Sequence, residues 1–145
     1  MILKSIELNN FMCYAGYNRF DFEEGINVII GDNGYGKSKL FDAFYWVMYD
    51  QCFNTSQKAF RSTSQLKKLI VSDKAISEIE EGSVTASVVL TFHNTEKDSI
   101  YIVERRYQIR KVGDLIMEDS ESEEIVSHKE MSILNAKVIT DPIKI

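Results

Sequence analysis

The chain has 145 residues, 44% of them hydrophobic, and a net charge of −5. That length fits one domain with a real core, the acidic balance argues against a surface built mainly to hold nucleic acid, and no apolar stretch reaches the length of a membrane span. Cys13 and Cys52 lack C-x-x-C spacing and read as free thiols of a reducing compartment, while Met1 runs straight into a strand pattern with no room for a secretory leader, so a cytoplasmic location without a membrane partner is expected.

In chain order, residues 2–9 predict a first strand and Tyr17 to Phe22 a second, with Asn9-Asn10 and Ala15-Gly16 as turn signals. Glu23-Glu24-Gly25 then turns the chain into Ile26-Asn27-Val28-Ile29-Ile30, an apolar run of the kind that forms a parallel strand buried on both faces. A glycine-rich stretch follows, and from Lys37 to about Tyr49 a helix is expected. Leu40, Phe44, Val47 and Met48 fall on one stripe of it, and Phe41 and Tyr45 widen that stripe until the helix reads as buried nearly all round. Asp50 to Arg61 is polar and aperiodic, a surface loop, and Ser64 is placed to cap a short helix through Leu66, Leu69 and Ile70.

From Ser83 the period becomes two. Val84, Ala86, Val88, Leu90 and Phe92 alternate with polar residues, and after a turn at Asn94 to Lys97 a second such strand sets Tyr101, Val103, Tyr107 and Ile109 against Glu104, Arg106, Gln108 and Arg110. Gly113-Asp114 marks a hairpin into Leu115-Ile116-Met117. Residues 118–124 form an acidic run, most simply a solvated loop. The chain closes on apolar residues from Val138 to Ile145, which reads as the end of a fragment, so residues 1–145 are expected to be one lobe of something larger. The sum is a mixed α/β domain with a largely antiparallel sheet.

The stretch between the apolar run and the helix carries the chemistry. Gly31-x-x-x-x-Gly36-Lys37-Ser38 matches the P-loop form, in the required order of strand, glycine loop and helix. Glycines permit positive φ and a close approach of backbone N–H groups to phosphate oxygens. The helix N-terminus adds orphan donors and a positive dipole end. Asp32, Asn33, Gly34, Tyr35 and Gly36 would line the phosphates, Lys37 would reach the β- and γ-phosphates, and the Ser38 hydroxyl would be a Mg²⁺ ligand. The competing account is a glycine-rich turn that merely precedes a helix, and the matched context weighs against it. His93 and His128 are isolated and read as structural.

With these residues in place, "LKSIELNNFMCY" and "FDFEEGINVIIGDNGYGKSKLFDAFYWVMY" resemble the N-terminal lobe of the SMC-like ATPases, which include cohesin and condensin types, the Rad-type break-repair ATPase and the DndD-type restriction ATPase. Asn10-Phe11 and Gly31-x-Asn33-Gly34-x-Gly36-Lys37-Ser38 carry the match. The stretch "KLIVSDKAISEIEEGSVTASVVLTFHN" with "YIVERRYQIR" looks most like the DndD-type subgroup. The resemblance implies a P-loop NTPase fold of the ABC/SMC head type, with ATP and Mg²⁺ as ligands. It also implies a C-terminal lobe bringing Walker B and signature motifs, a second head in a nucleotide-sandwich dimer, and DNA bound by the full complex.

Two departures stand out. Met12 occupies a position where many members carry arginine, and Lys39 one where serine, threonine or asparagine is common; Lys39 is left open between a second cation beside the α-phosphate and a solvent-facing lysine. Val138-Ile139-Thr140-Asp141 superficially resembles a Walker B strand, but Pro142 follows where a glutamate should stand, so Asp141 reads as a strand end or turn. Without a base and second metal ligand, phosphoryl transfer is incomplete, and the chain alone should hydrolyse almost no ATP. Arg105-Arg106 and Lys67-Lys68 are candidate DNA-phosphate contacts, with Arg110-Lys111 nearby, although cross-strand pairing or solvation is the simpler account. Arg61 and Lys58 align poorly with an arginine that serves nucleotide in some relatives. Three functions therefore stand: an ATPase head lobe acting on DNA in defence or repair, a nucleotide-dependent switch or scaffold without significant turnover, and an ABC-transporter-type subunit.

Overall fold

The computed structural model describes residues 1–30, 36–54, 56–118, 125–132 and 138–144, the last two segments by their strand pairing. Strands β1 (Ile2–Phe11), β2 (Tyr14–Asp21), β5 (Glu81–Asn94), β6 (Ser99–Val112), β7 (Leu115–Glu118), β8 (Ile125–Ser132) and β9 (Val138–Lys144) form one sheet. Its order is β2-β1-β5-β6-β8-β9, with β7 also paired to β6, and every pairing is antiparallel. The fold is thus α/β with a largely antiparallel sheet, as the sequence predicts.

One face of the sheet carries the core. Ile6 and Leu8 of β1 stand opposite Leu90 and Val88 of β5, and all four are buried. Val84 and Ala86 continue the row beside Ile109 and Tyr107 of β6. Helix α1 (Lys37–Tyr49) lies across this face and buries Leu40, Ala43, Trp46 and Val47. Trp46 stacks on Phe11 with ring centroids 5.2 Å apart. Burial of a large apolar side chain contributes about 1.5–3 kcal/mol, so these contacts fix where α1 sits.

Several expectations need correction. Ile26 to Ile30 is not a buried parallel strand: the segment has no regular structure, and Ile26 and Ile30 are 95% and 91% exposed. A strand buried on both faces needs neighbours on both edges and cover on both faces, and no described strand pairs with it. The same shortfall explains α1. It is not covered all round: Phe41 is 68% exposed, and Tyr45, Met48 and Tyr49 also face outward. The second strand runs Tyr14–Asp21 rather than from Tyr17 to Phe22.

The expected loop after α1 is instead a hairpin of β3 (Cys52–Asn54) and β4 (Ala59–Arg61). It is stitched to the helix by the Asp42 carboxylate, which accepts from Phe53 N at 3.2 Å. Next comes α2 (Thr63–Leu66), capped by Ser62 rather than Ser64: the Ser62 side chain and Gln65 form a reciprocal capping box. A 3-10 turn, Lys67–Ile70, and a short helix α3 (Asp73–Ser77), capped by Ser72, complete the segment. Lys111 donates to the Ile76 and Ile79 carbonyls at 3.1 and 2.8 Å, so this basic residue closes the end of α3. Asp141 lies within β9, opposite His128 in the ladder, and not at a strand end or turn. The Gly113 turn holds as expected, with φ of 58°.

Candidate nucleotide-binding site

Of the P-loop residues, Gly36, Lys37, Ser38 and Lys39 are described; Asp32, Asn33, Gly34 and Tyr35, and with them Gly31, lie outside the described residues. Gly36 is the N-cap of α1 and takes φ of 89°, a left-handed conformation that favours glycine. Space demands glycine as well. A Cβ there would stand 2.7 Å from Cys13 Sγ and 3.2 Å from the Tyr14 hydroxyl oxygen. The Gly36 carbonyl accepts from Lys39 N at 3.1 Å, Leu40 N at 3.3 Å and the Tyr14 hydroxyl at 2.7 Å. The turn between β1 and β2 therefore clamps the end of the glycine loop.

The N-cap, Gly36, has no side chain to offer α1, and the first turn carries no acidic residue. The positive dipole end of this 13-residue helix thus meets no acidic side chain of its own first turn, while Lys39 N and Leu40 N donate to the Gly36 carbonyl. Lys37 is half-buried at its first position, while Ser38 is exposed at the second. An anion fits the start of such a helix. Ser38 offers the hydroxyl suited to a Mg²⁺ that takes its other ligands from phosphate and water. Among the described residues no cluster of His, Cys, Asp and Glu side chains is gathered for a metal.

Lys39 turns sideways and pairs with Asp42 at 3.4 Å. It lines a cavity of about 400 Å³ between the β1–β2 turn, the β3–β4 hairpin and the 3-10 turn. Met12, Asn54, Ser56 and Asp73 also contribute to the wall. Met12 takes φ of 49° and donates its N–H to Ile70 O at 2.8 Å, which fixes the turn over this cavity. Cys52 closes the floor, where burial, and then the nearby Asp42 carboxylate, push its thiol up to about 12. Cys13 and Tyr14 are also raised, chiefly by burial.

The basic pairs separate. Arg106 is exposed on the outer face of β6 and ion-paired with Glu104 at 2.6 Å. Arg105 is not a surface cation: it is fully buried on the inner face, its NH1 lies 3.7 Å from Asp50 Oδ1, and its NH2 donates to Val47 O at 3.3 Å. Asp50 in turn accepts from Thr63 N at 3.2 Å and from the Thr63 hydroxyl, and that hydroxyl accepts from Trp46 Nε1 at 2.8 Å. Sequence reasoning misses Asp42, Asp50 and Thr63. The available signal was strand parity, since position 105 shares its phase with Tyr107 and Ile109. Lys67 and Lys68 sit in the 3-10 turn and are exposed, and Arg61 is held by the Gln57 side chain at 2.5 Å. His93 meets Asp98 at 3.1 Å at the tip of the β5–β6 hairpin, away from α1.

A left-handed glycine leading into a helix, with lysine and serine at its opening, is the described end of the P-loop pattern. Residues 5–143 match the AAA domain family. The chain is 26% identical over 130 residues to a chromosome partition protein Smc of Fusobacterium nucleatum, covering 81% of this chain and 11% of that protein. It is 34% identical over 98 residues to structural maintenance of chromosomes protein 6 of Takifugu rubripes, covering 68% of this chain and 8% of that protein. Over 49 residues it is 47% identical to the DNA double-strand break repair Rad50 ATPase of Methanocaldococcus jannaschii, covering 34% of this chain and 5% of that protein. The chain belongs to the AAA domain family and corresponds to the N-terminal lobe of an SMC-like P-loop ATPase. It spans only a small part of the length of these relatives.

Proposed function

We propose that the chain is the ATP-binding half of an ATPase head that acts on DNA, in repair or in restriction-type defence. The observation that carries this is the opening of α1, where Gly36 is held left-handed under the β1–β2 turn and Lys37 and Ser38 take the first two helical positions. The N–H groups from Asn33 to Ser38 and the Lys37 ammonium would hold the triphosphate, and Ser38 would hold its Mg²⁺. Bound in this way, the metal supplies charge neutralisation at the phosphates. The cavity beside Lys39 would take the nucleoside end.

Hydrolysis requires a C-terminal lobe with the groups that orient water. Support for that partner comes from the apolar surface around α1. A groove of about 420 Å³ between β1 and the outer side of α1 is lined by Leu3, Phe22, Ile29, Phe41, Phe44 and Tyr45, and Ile26, Val28 and Ile30 stand exposed nearby in the chain. Contiguous apolar surface of this kind marks an interaction site. A second parallel sheet laid on it would turn residues 26–30 into the doubly buried strand that their composition calls for. The names of the relatives, in chromosome partition and break repair, support DNA as the partner of the assembled heads.

A phosphate-release assay tests the proposal. The chain alone should release phosphate barely above background, and adding the C-terminal half should raise the rate in a manner that Lys37→Ala abolishes. Steady turnover by the chain alone, lost on Asp141→Asn, would overturn the division of labour and make Asp141 a metal ligand.

A further inference from the structure

We propose that Arg105 is a positioning residue for the phosphate-binding helix, acting through the last turn of α1 and touching no ligand itself. This rests on the nucleotide-binding reading above. An arginine on the inner face of a sheet, in phase with Tyr107 and Ile109, is costly unless its charge and donors are matched. Two of the groups that meet it belong to one place, while its Nε is buried without a hydrogen bond among the described residues. The guanidinium lies 3.7 Å from the Asp50 carboxylate and donates at 3.3 Å to the Val47 carbonyl, so both acceptors come from the C-terminal turn of α1. That turn is the negative end of the helix dipole, which suits a buried cation. It suits Asp50 badly, and Asp50 is kept there by Arg105 together with the Thr63 hydroxyl and N–H.

The chemistry of the contact matters more than its strength. Apolar packing is non-directional and tolerates small slides, whereas a planar guanidinium that donates to one carbonyl and faces one carboxylate is directional. Arg105 stands on β6, a central strand paired with β5 on one side and with β7 and β8 on the other. The helix it grips carries Lys37 and Ser38 at its other end, and a helix of 13 residues transmits an axial shift as a rod. Asp42, midway along, ties the same rod to the hairpin that walls the cavity. A displacement of about 1 Å at the reacting groups is enough to matter on the order of a hundredfold in rate.

The test compares Mg-ATP affinity and thermal stability in the wild-type protein, Arg105→Met, the double variant Arg105→Met with Asp50→Asn, and Arg105→Lys. Arg105→Met alone leaves the Asp50 carboxylate without its cation, with only the Thr63 donors, and should lower Tm. The double variant removes both charges and should return Tm close to wild type; its Kd for Mg-ATP, measured well below Tm, should still be raised about tenfold. Lysine keeps the charge without the fork and should give an intermediate Kd. A folded double variant with wild-type Kd would overturn the proposal and leave Arg105 a purely structural residue. If that variant does not fold, unchanged Kd in Arg105→Lys overturns it equally. A wild-type protein with no affinity for Mg-ATP would instead overturn the nucleotide reading, and the positioning role with it.

Discussion

Replacing Gly36 by alanine would place two separate costs on one atom. The first is conformational: at φ of 89° a residue with a Cβ is strained, by about 1–2 kcal/mol. The second is steric, because the new Cβ would stand 2.7 Å from Cys13 Sγ and 3.2 Å from the Tyr14 hydroxyl oxygen. Overpacking of this sort costs about 1–3 kcal/mol. The Cys13 side chain is exposed and can turn away, which places the clash toward the lower end. The expected loss is therefore roughly 2–4 kcal/mol. Urea unfolding followed by the fluorescence of Trp46, the single tryptophan, measures it. Adding Cys13→Ala should restore part of the steric share, on the order of 1 kcal/mol, and none of the conformational share. A Gly36→Ala protein within about 0.5 kcal/mol of wild type would refute the clamp between the β1–β2 turn and the glycine loop.

Thr63→Val keeps the shape but strips the acceptor from Trp46 Nε1 and a donor from Asp50; a loss of about 1–3 kcal/mol is expected, with a shift in tryptophan emission. Burial pushes the Cys52 thiol up from the ordinary 9.0 to about 12 in the folded protein. Between those values the unfolded chain gives up its thiol proton first, so stability should fall as pH rises through that window, with no contribution from this group below it. Cys52→Ala should flatten that part of a pH–stability curve, and in thiol labelling of the wild type the exposed Cys13 should react well before Cys52. Phe41→Ser changes a residue that is 68% exposed; stability should move by no more than about 0.5 kcal/mol, while a pull-down of the C-terminal half should weaken markedly.

The residues that report most directly in the sequence are those whose pattern is periodic or whose geometry is unusual. The two long strands β5 and β6 alternate cleanly because one face is buried and the other meets solvent, and α1 begins at Lys37 and ends at Tyr49 as its run without glycine or proline foretells. Gly36 was legible too, since a left-handed N-cap hard against Cys13 leaves glycine as the fitting residue. Composition misled where apolar residues lie on the described surface. Ile26 to Ile30 and Phe41 have the character of buried residues, yet no described part of this chain covers them. The hairpin at Cys52–Asn54 and Ala59–Arg61 was not legible because its strands are too short for a period and depend on the remote Asp42 carboxylate. Arg105 was hidden for a related reason: its charge suggested the surface, and only its long-range match to Asp50 permits burial.

Isothermal titration of Mg-ATP into the wild-type protein and into Lys37→Ala tests the central claim most directly. Removing the ammonium deletes a charge-assisted contact worth about 1.5–3 kcal/mol at the most highly charged part of the ligand. The account predicts saturable binding by the wild type and affinity weakened at least tenfold, below detection at ordinary concentrations, in the variant. Equal affinity in the two proteins would contradict it.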